Sequence, residues 1–306
     1  MPLKSKRSPP EGEFLFEIDE EPTGECLTAL GGLPSFVRTA RSLDVPGSVK
    51  RNLALKRRDR GFDEATYVES FLALNAAGGD CLDDFDCLRE DRGVAAMLGH
   101  EVPSPEAARE FPYRFHDPEK SDQAQRNLPI GEVSYVPEES TALRGLAQVN
   151  QDVVRELARR CAGERIATVD MDATVIESWK QEAKATYEGG CGYQPGPKGT
   201  PAAWAEMNVV VAEEFRDGNV PVLKDPRRVA KRAFAALPGT IRERYFRGDS
   251  GCDEAELPSW LRDEKRADGP EGFIGLAVSA RMNPVLRKEI ESVAAEKGMT
   301  FWPRMR

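Results

Sequence analysis

The sequence predicts an α/β protein whose first half is mainly helical and whose second half alternates strands with helices. Three observations carry that expectation. Up to about residue 162, apolar residues recur three and four apart between glycine and proline stops. Beyond it, β-branched runs alternate with amphipathic helical stretches. Two of those runs, residues 166–176 and 245–251, are strands that end in carboxylates, Asp170 and Asp172 in the first and Asp249 in the second. The boundaries that follow are a flexible arm over 1–20, a mainly helical domain over 21–162 and an α/β domain over 163–306.

Residues 1–20 contain Pro9-Pro10 and an acidic run, with one strand-like stretch at 13–18. Gly31-Gly32 marks a turn before a helix that starts near Pro34 or Ser35. Residues 62–77 place Tyr67, Val68, Phe71, Leu72 and Leu74 at helical spacing and stop at Gly78-Gly79. Asp80 is positioned to cap a short helix with Leu82, Phe85 and Leu88 on one face and Asp83-Asp84 in its first turn. Ser104-Pro105-Glu106 starts another helix. Residues 119–140 are polar and punctuated by proline, which reads as a loop or linker. Leu143, Leu146, Val149, Val153 and Leu157 then step by three and four toward the first acidic strand.

In the second half, residues 208–215 read as one strand closing at the Asp217-Gly218 turn. Residues 226–237 form a basic amphipathic helix bearing Arg227, Arg228, Lys231 and Arg232. A strand over 273–279 follows, and Asn283-Pro284 opens a last helix through Leu286, Ile290 and Val293 to Gly298.

With 306 residues, 40% hydrophobic and 31% charged, the chain can bury a sizeable core and suggests roughly two domains. No apolar run approaches the length of a membrane span, and the basic start Lys4-Ser-Lys6-Arg7 leads into prolines rather than an apolar segment. A cytoplasmic protein without a membrane partner is expected. Six cysteines lack any C-x-x-C pair and only His100 and His116 are present, which argues against structural zinc, a disulfide framework and a histidine-based triad. The net charge of −9 resides in residues 61–110, twelve acids against three arginines. Residues 36–60 run the other way, eight basic residues to two acidic, with Arg57 and Arg58 among them. Such a stripe either tracks a phosphate backbone or is a solvated helix face.

Alternate residues of a strand face opposite ways, so Val169, Met171, Ala173 and Val175 share a buried face while Asp170, Asp172 and Thr174 share the other. Two carboxylates aimed at one point repel each other unless a cation lies between them or one is protonated. Aspartate is also disfavoured in strands. The pattern points to a divalent cation or a raised pKa, against the simpler reading of a strand end with solvated acids.

Two families share these strings. Asp170-Met-Asp172-Ala-Thr174 has the D-x-D-x-T form of the haloacid-dehalogenase-like phosphohydrolases, and Gly248-Asp249-Ser-Gly-Cys-Asp253 resembles their late acidic motif. That resemblance implies Asp170 as nucleophile, Asp172 as general acid/base, and Asp249 and Asp253 as holders of Mg²⁺. A longer resemblance is to the DDE transposases of bacterial insertion sequences. It is carried in order by Thr28-Ala-Leu-Gly31-Gly32-Leu-Pro34, Arg60-Gly61-Phe62, Gly78-Gly79-Asp80-Cys-Leu82-Asp83-Asp84, Pro103-Ser104 and Thr168-Val-Asp170-Met-Asp172-Ala-Thr174. Gly192-Tyr193-Gln194-Pro195, Phe215-Arg216-Asp217-Gly218-Asn219 and Arg247-Gly-Asp249-Ser-Gly251 continue it.

The transposase resemblance implies a ribonuclease H-like domain over 163–306, a mixed sheet flanked by helices, and a DNA-end-binding role for the helical 21–162. Its first acid lies on the first strand and its second on a later neighbouring strand. Asp172, two residues before Thr174, then takes the first position with Asp170 as the fallback, and Asp249 takes the second. Asp170, Asp172 and Asp249 become candidate ligands of two Mg²⁺ ions, and the terminal inverted repeats of an insertion sequence become the DNA partner, with a homodimer possible in such a family. Arg57, Arg58, Arg216, Arg228 and Arg247 are candidate phosphate contacts. The family's third acid is a glutamate on a helix beyond a β-rich insertion. Here the chain runs 57 residues past Asp249, and Glu289, Glu291 and Glu296 fall on the wet face of the last helix. The expectation is a C-terminally truncated transposase with an incomplete, inactive metal site, with a non-catalytic DNA-binding or dimerising remnant as a further alternative.

Overall fold

Among the described residues, eight α-helices precede the first strand. They are α1 (Leu33–Ser42), α2 (Val45–Asn52), α3 (Glu64–Ala76), α4 (Phe85–Glu90), α5 (Arg92–Leu98), α6 (Pro105–Tyr113), α7 (Pro118–Arg126) and α8 (Thr141–Arg160). They are seen in a computed structural model that describes residues 28–56, 60–132, 134–136, 138–161, 163–172, 176–177, 184–185, 192–195, 201–220, 224–252, 256–279 and 282–296. The expectations for the arm, Arg57, Arg58, Thr174 and Asp253 lie outside the described residues.

Local chemistry starts and stops these helices as the sequence suggests. The side chains of Asp63, Ser104 and Ser140 accept the backbone N–H three residues on at 2.8, 3.2 and 3.1 Å, opening α3, α6 and α8. Helix α3 ends before Gly78, whose φ of +85° costs an L-residue a steric clash that glycine avoids. Two readings need correction. Asp84, not Asp80, is the capping acid: its carboxylate accepts the N–H groups of Asp80 and Cys81 at 2.8 and 3.0 Å. Helix α7 occupies the front of the segment read as a loop over 119–140. None of its residues is buried, so it left no apolar spacing to detect.

The helical half packs around two clusters. Leu33 and Val37, Ala73 and Leu74, Phe85, Leu88, Val94, Leu98 and Ala108 join α1 and α3–α6. Val45, Val49, Leu53, Ala65 and Val149 join α2, α3 and α8. Helix α8 carries the connection onward, because Val154 one turn later belongs to the core beneath the sheet.

The second half contains β1 (Ile166–Met171), β2 (Ile176–Glu177), β3 (Gly192–Pro195), β4 (Ala202–Trp204), β5 (Val209–Ala212), β6 (Phe215–Asp217), α9 (Pro226–Ala236), β7 (Glu243–Gly248), α10 (Glu256–Arg262), β8 (Gly275–Val278) and α11 (Pro284–Glu296). Among the described residues the fold is therefore mixed α/β, with eleven α-helices and an open five-stranded mixed sheet of order β5-β4-β1-β7-β8. Strands β1, β4 and β5 run antiparallel in sequence, whereas β7 and β8 lie parallel to β1. Parallel neighbours need crossovers, which α9 and α10 supply. Both helices cover one face, where Ala167, Val169, Met171, Trp204 and Phe246 meet Val229, Ala233, Phe234, Leu257 and Leu261. The other face is solvent-facing at Ile166, Val210 and Tyr245. A small antiparallel sheet, β2-β3-β6, stands apart.

Residues 208–215 are not one strand. They divide at Glu213-Glu214, with β5 in the large sheet and β6 in the small one. The turn at Asp217-Gly218 exists, with Val220 N–H to Asp217 O at 3.0 Å, but β6 pairs with β3 rather than closing a hairpin with β5. Strand β4 was not anticipated. It is three residues long, and Trp204 anchors it by donating Nε1–H to Ile166 O at 3.1 Å. Its turn into β5 uses Asn208 at φ 51°, a left-handed position that asparagine tolerates.

Candidate functional site

The expected acids sit where β1 and β7 end side by side. In the parallel register, Asp170 is opposite Arg247 and Met171 is opposite Gly248. Asp172 and Asp249 are the next residue on each chain, so the two carboxylates stand at the C-terminal edge of adjacent strands. Asp172 is exposed and Asp249 half-buried. The end of β7 is fixed by Cys252 N–H to Asp249 O at 2.9 Å and Ser279 N–H to Gly248 O at 3.1 Å. Gly248 is needed there, since a Cβ would fall 2.6 Å from Cys252 Sγ.

Alternation along β1 follows the sequence pattern, with Ala167, Val169 and Met171 buried and Thr168 and Asp170 on the opposite face. Asp170 is ion-paired. The Arg247 guanidinium takes both of its carboxylate oxygens through Nε and Nη2. That hydrogen bonding, with the attraction of the Asp170 charge, raises the Arg247 pKa. Close by, Glu206 of the β4–β5 turn accepts from Thr168 N and Oγ1 at 2.8 and 2.6 Å. Burial opposes the charge of Glu206, but these hydrogen bonds prevail and its carboxyl stays below the usual range. Sequence reasoning missed Glu206, because nothing local marks a turn residue that returns to β1.

The candidate phosphate contacts fare unevenly. Arg216 is a correction: its side chain is fully buried, paired with Glu214 and donating to Lys224 O, so it has no surface to offer DNA. Burial lowers its pKa and the Glu214 charge opposes that shift. Glu214 is shared, with Arg228 Nη2 at 2.6 Å and Arg232 at 3.7 Å, while Arg232 also reaches Glu139 at 2.7 Å. Arg228 is thus partly exposed but committed to an internal acid. Arg247 is exposed and holds Asp170. Three basic residues of the 36–60 stripe are ion-paired: Arg41 with Glu69, Lys50 with Asp63, and Arg51 with Asp152 and with Asp44 of the stripe itself.

Among the described residues, no group of three or more His, Cys, Asp or Glu side chains is placed to hold a metal ion. Glu289 and Glu291 on α11 are exposed. Asp172 and Asp249 remain as a pair of hard oxygen donors, which suits Mg²⁺ in kind. The phosphohydrolase resemblance loses ground on two counts. Its fold is a Rossmann-like parallel sheet, whereas this sheet is mixed, and its nucleophile, Asp170, is held by Arg247.

No family model matches the chain, and neither a curated protein nor a solved structure is significantly similar to it. No helix among the described residues is long and apolar enough to cross a membrane.

Proposed function

We propose that the chain is a DNA phosphoryl-transfer protein of the transposase type, with a ribonuclease H-like catalytic half and Asp172 and Asp249 as its first two acids. The observation that carries this reading is the placement of the acids. The first stands at the end of the first strand of a mixed sheet, and the second at the end of a later strand that is its immediate neighbour. The helices α9 and α10 on one face of that sheet agree with the same architecture.

Asp172 and Asp249 are the residues that would hold Mg²⁺, which when bound supplies the charge to activate a water or 3′-hydroxyl and to stabilise the leaving oxygen. The chain itself contributes position. Ser279 N–H to Gly248 O ties the end of β7 to the end of β8, Cys252 N–H to Asp249 O closes the turn after β7, and the packing of Met171 and Phe246 beneath the sheet holds β1 against β7.

The test is nicking of duplex DNA by the purified chain with Mg²⁺ or Mn²⁺. Nicks that vanish in Asp172→Asn and in Asp249→Asn support the reading of the two acids and overturn the expectation of an inactive site. Salt-dependent DNA binding without nicking in any variant leaves the chain as a binding module only. Neither binding nor nicking sinks both. Phosphate release from a small phosphomonoester that depends on Asp170 would restore the phosphohydrolase alternative.

A further inference from the structure

The stretch 127–140 between α7 and α8 joins the helical half to the α/β half by charge. Lys224 Nζ lies 2.8 Å from Glu132 Oε2 and donates to Ser134 O at 2.9 Å. Arg232 Nη1, on α9, lies 2.7 Å from Glu139 Oε1. Lys120 with Glu138 at 3.1 Å, and Ser140 Oγ–H to Phe115 O at 2.8 Å, fasten the stretch to the helical half. Apolar packing adds little to its hold. None of its described residues belongs to the three apolar clusters, and a cavity of about 130 Å³ lies between Val136, Leu143, Leu146 and Arg232.

Lys224, Arg228 and Arg232 stand four residues apart, which on α9 sets Arg228 and Arg232 on one face a turn apart. Every basic residue of α9 has an acid, but the acids differ in origin. Arg227 and Lys231 pair with Glu256 and Asp268, and Arg228 with Glu214, all within the α/β half. Lys224 and Arg232 draw Glu132 and Glu139 from the helical half. Lys224 and Glu132 are 33% and 49% exposed, and Arg232 and Glu139 26% and 29%. Water and salt reach both pairs, so they add little to folding stability, and a phosphate can replace either carboxylate. Arg228 Nε has no partner among the described residues, so donors exceed acceptors along the row.

We propose, on the reading of the chain as a DNA-binding protein, that the stretch 127–140 is an electrostatic strap over a surface for the DNA backbone. Glu132 and Glu139 occupy Lys224 and Arg232, the cations that phosphates of duplex DNA take when the strap is displaced. The surface is the edge of α9 that carries Arg228 and Arg232, with Lys224 before it. A polyanion that spans the row replaces both acids at once, which a single phosphate ion cannot do. DNA must therefore displace two carboxylates before it gains contacts there, and the strap holds binding down.

The experiment uses the full chain and a duplex oligonucleotide. Glu132→Gln with Glu139→Gln frees both cations, so binding at low salt should tighten roughly tenfold, with a salt slope steeper by about two, one for each phosphate contact. Glu90→Gln with Glu110→Gln removes two exposed acids of the helical half and changes the net charge equally. That control should stay within about threefold of the wild type. Adding Lys224→Gln and Arg232→Gln to the first variant should cancel its gain. In the wild type, zero-length carbodiimide crosslinking should join Glu132 to Lys224. Duplex DNA should suppress that crosslink, and inorganic phosphate at the same phosphate concentration should not. Equal tightening in the two double variants would reduce the effect to net charge and overturn the strap. A crosslink that fails to form without DNA, or persists in DNA-saturated chain, would do the same. Suppression by heparin but not by DNA would assign the surface to another polyanion and overturn the proposal. If the wild type and Glu132→Gln with Glu139→Gln both fail to bind DNA at low salt, the DNA reading falls and this inference with it, a pattern distinct from the others. Melting curves check folding, and the crosslinking test needs no variant.

Discussion

His100 Nε2 lies 2.9 Å from Glu69 Oε2, and Arg41 grips the same carboxylate, Nε to Oε1 at 2.7 Å and Nη2 to Oε2 at 2.6 Å. The three residues come from α1, α3 and the segment after α5, so one buried acid ties three elements together. Burial works against the charged carboxylate. Hydrogen bonds from Arg41 and His100, with their charges, overcome it and hold the Glu69 carboxyl at about 2. The bond to Glu69 raises the His100 pKa against the opposing effect of burial.

This cluster sets a stability window. A depressed acid contributes fully above its unfolded value near 4.5, and the contribution fades as pH falls toward about 2. A raised histidine contributes fully below 6.5, and the contribution fades as pH rises through its folded value. The cluster therefore stabilises most between those two unfolded values. Melting midpoints across pH should decline on the alkaline side in the wild type and stay level there in His100→Asn. An unchanged decline in that variant would place the alkaline limb elsewhere.

Glu214 is the counter-ion for three guanidiniums, one of them fully buried. Glu214→Gln should cost about 4 kcal/mol, because it leaves a buried positive charge without its partner. Arg216→Met should cost less, roughly 2 kcal/mol, since Glu214 keeps Arg228 and Arg232. Urea denaturation measures both, and the reverse order would refute the account.

Phe246 and Tyr245 are adjacent on β7 but face opposite ways. Phe246 is fully buried against the α9–α10 layer, while Tyr245 is more than a third exposed. Phe246→Ala should cost about 4 kcal/mol and Tyr245→Ala less than about 1 kcal/mol. Equal losses by chemical denaturation would show that the second sheet face is covered after all.

Arg266 is buried and donates only to backbone carbonyls, to Trp260 O at 3.0 Å, Leu261 O at 2.8 Å, Gly272 O at 2.9 Å and Pro270 O. It pins the loop between α10 and β8. Arg266→Ala should lose about 3 kcal/mol, and Arg266→Lys should recover less than half, because an ammonium cannot span acceptors arranged for a planar fork. Full recovery by lysine would make the effect one of charge alone.

The helix start at Ser104, the stop at Gly78 and the alternating face of β1 were legible in the sequence, because each depends on a few consecutive residues. Helix α7 and strand β4 were not. The first is polar on all sides and the second is three residues long, so neither carries a period. The candidate site was legible to the same extent: Asp172 and Asp249 could be named as acids at strand ends, but their side-by-side placement depends on β1 and β7 pairing in parallel across 77 residues of chain.

Sequence alone therefore determined many of the elements and the residue types able to hold a cation, since propensity, capping and period act over a turn of helix or a few residues of strand. Tertiary structure decided what each charge does. It buried Arg216 on Glu214, paired Arg41 with Glu69 of α3 and Arg51 with Asp152 of α8, gave Asp170 to Arg247, and set Asp172 and Asp249 just past the ends of adjacent strands. Partners in an ion pair are chosen by distance in space, and that distance is written only in the register of strands and the packing of helices.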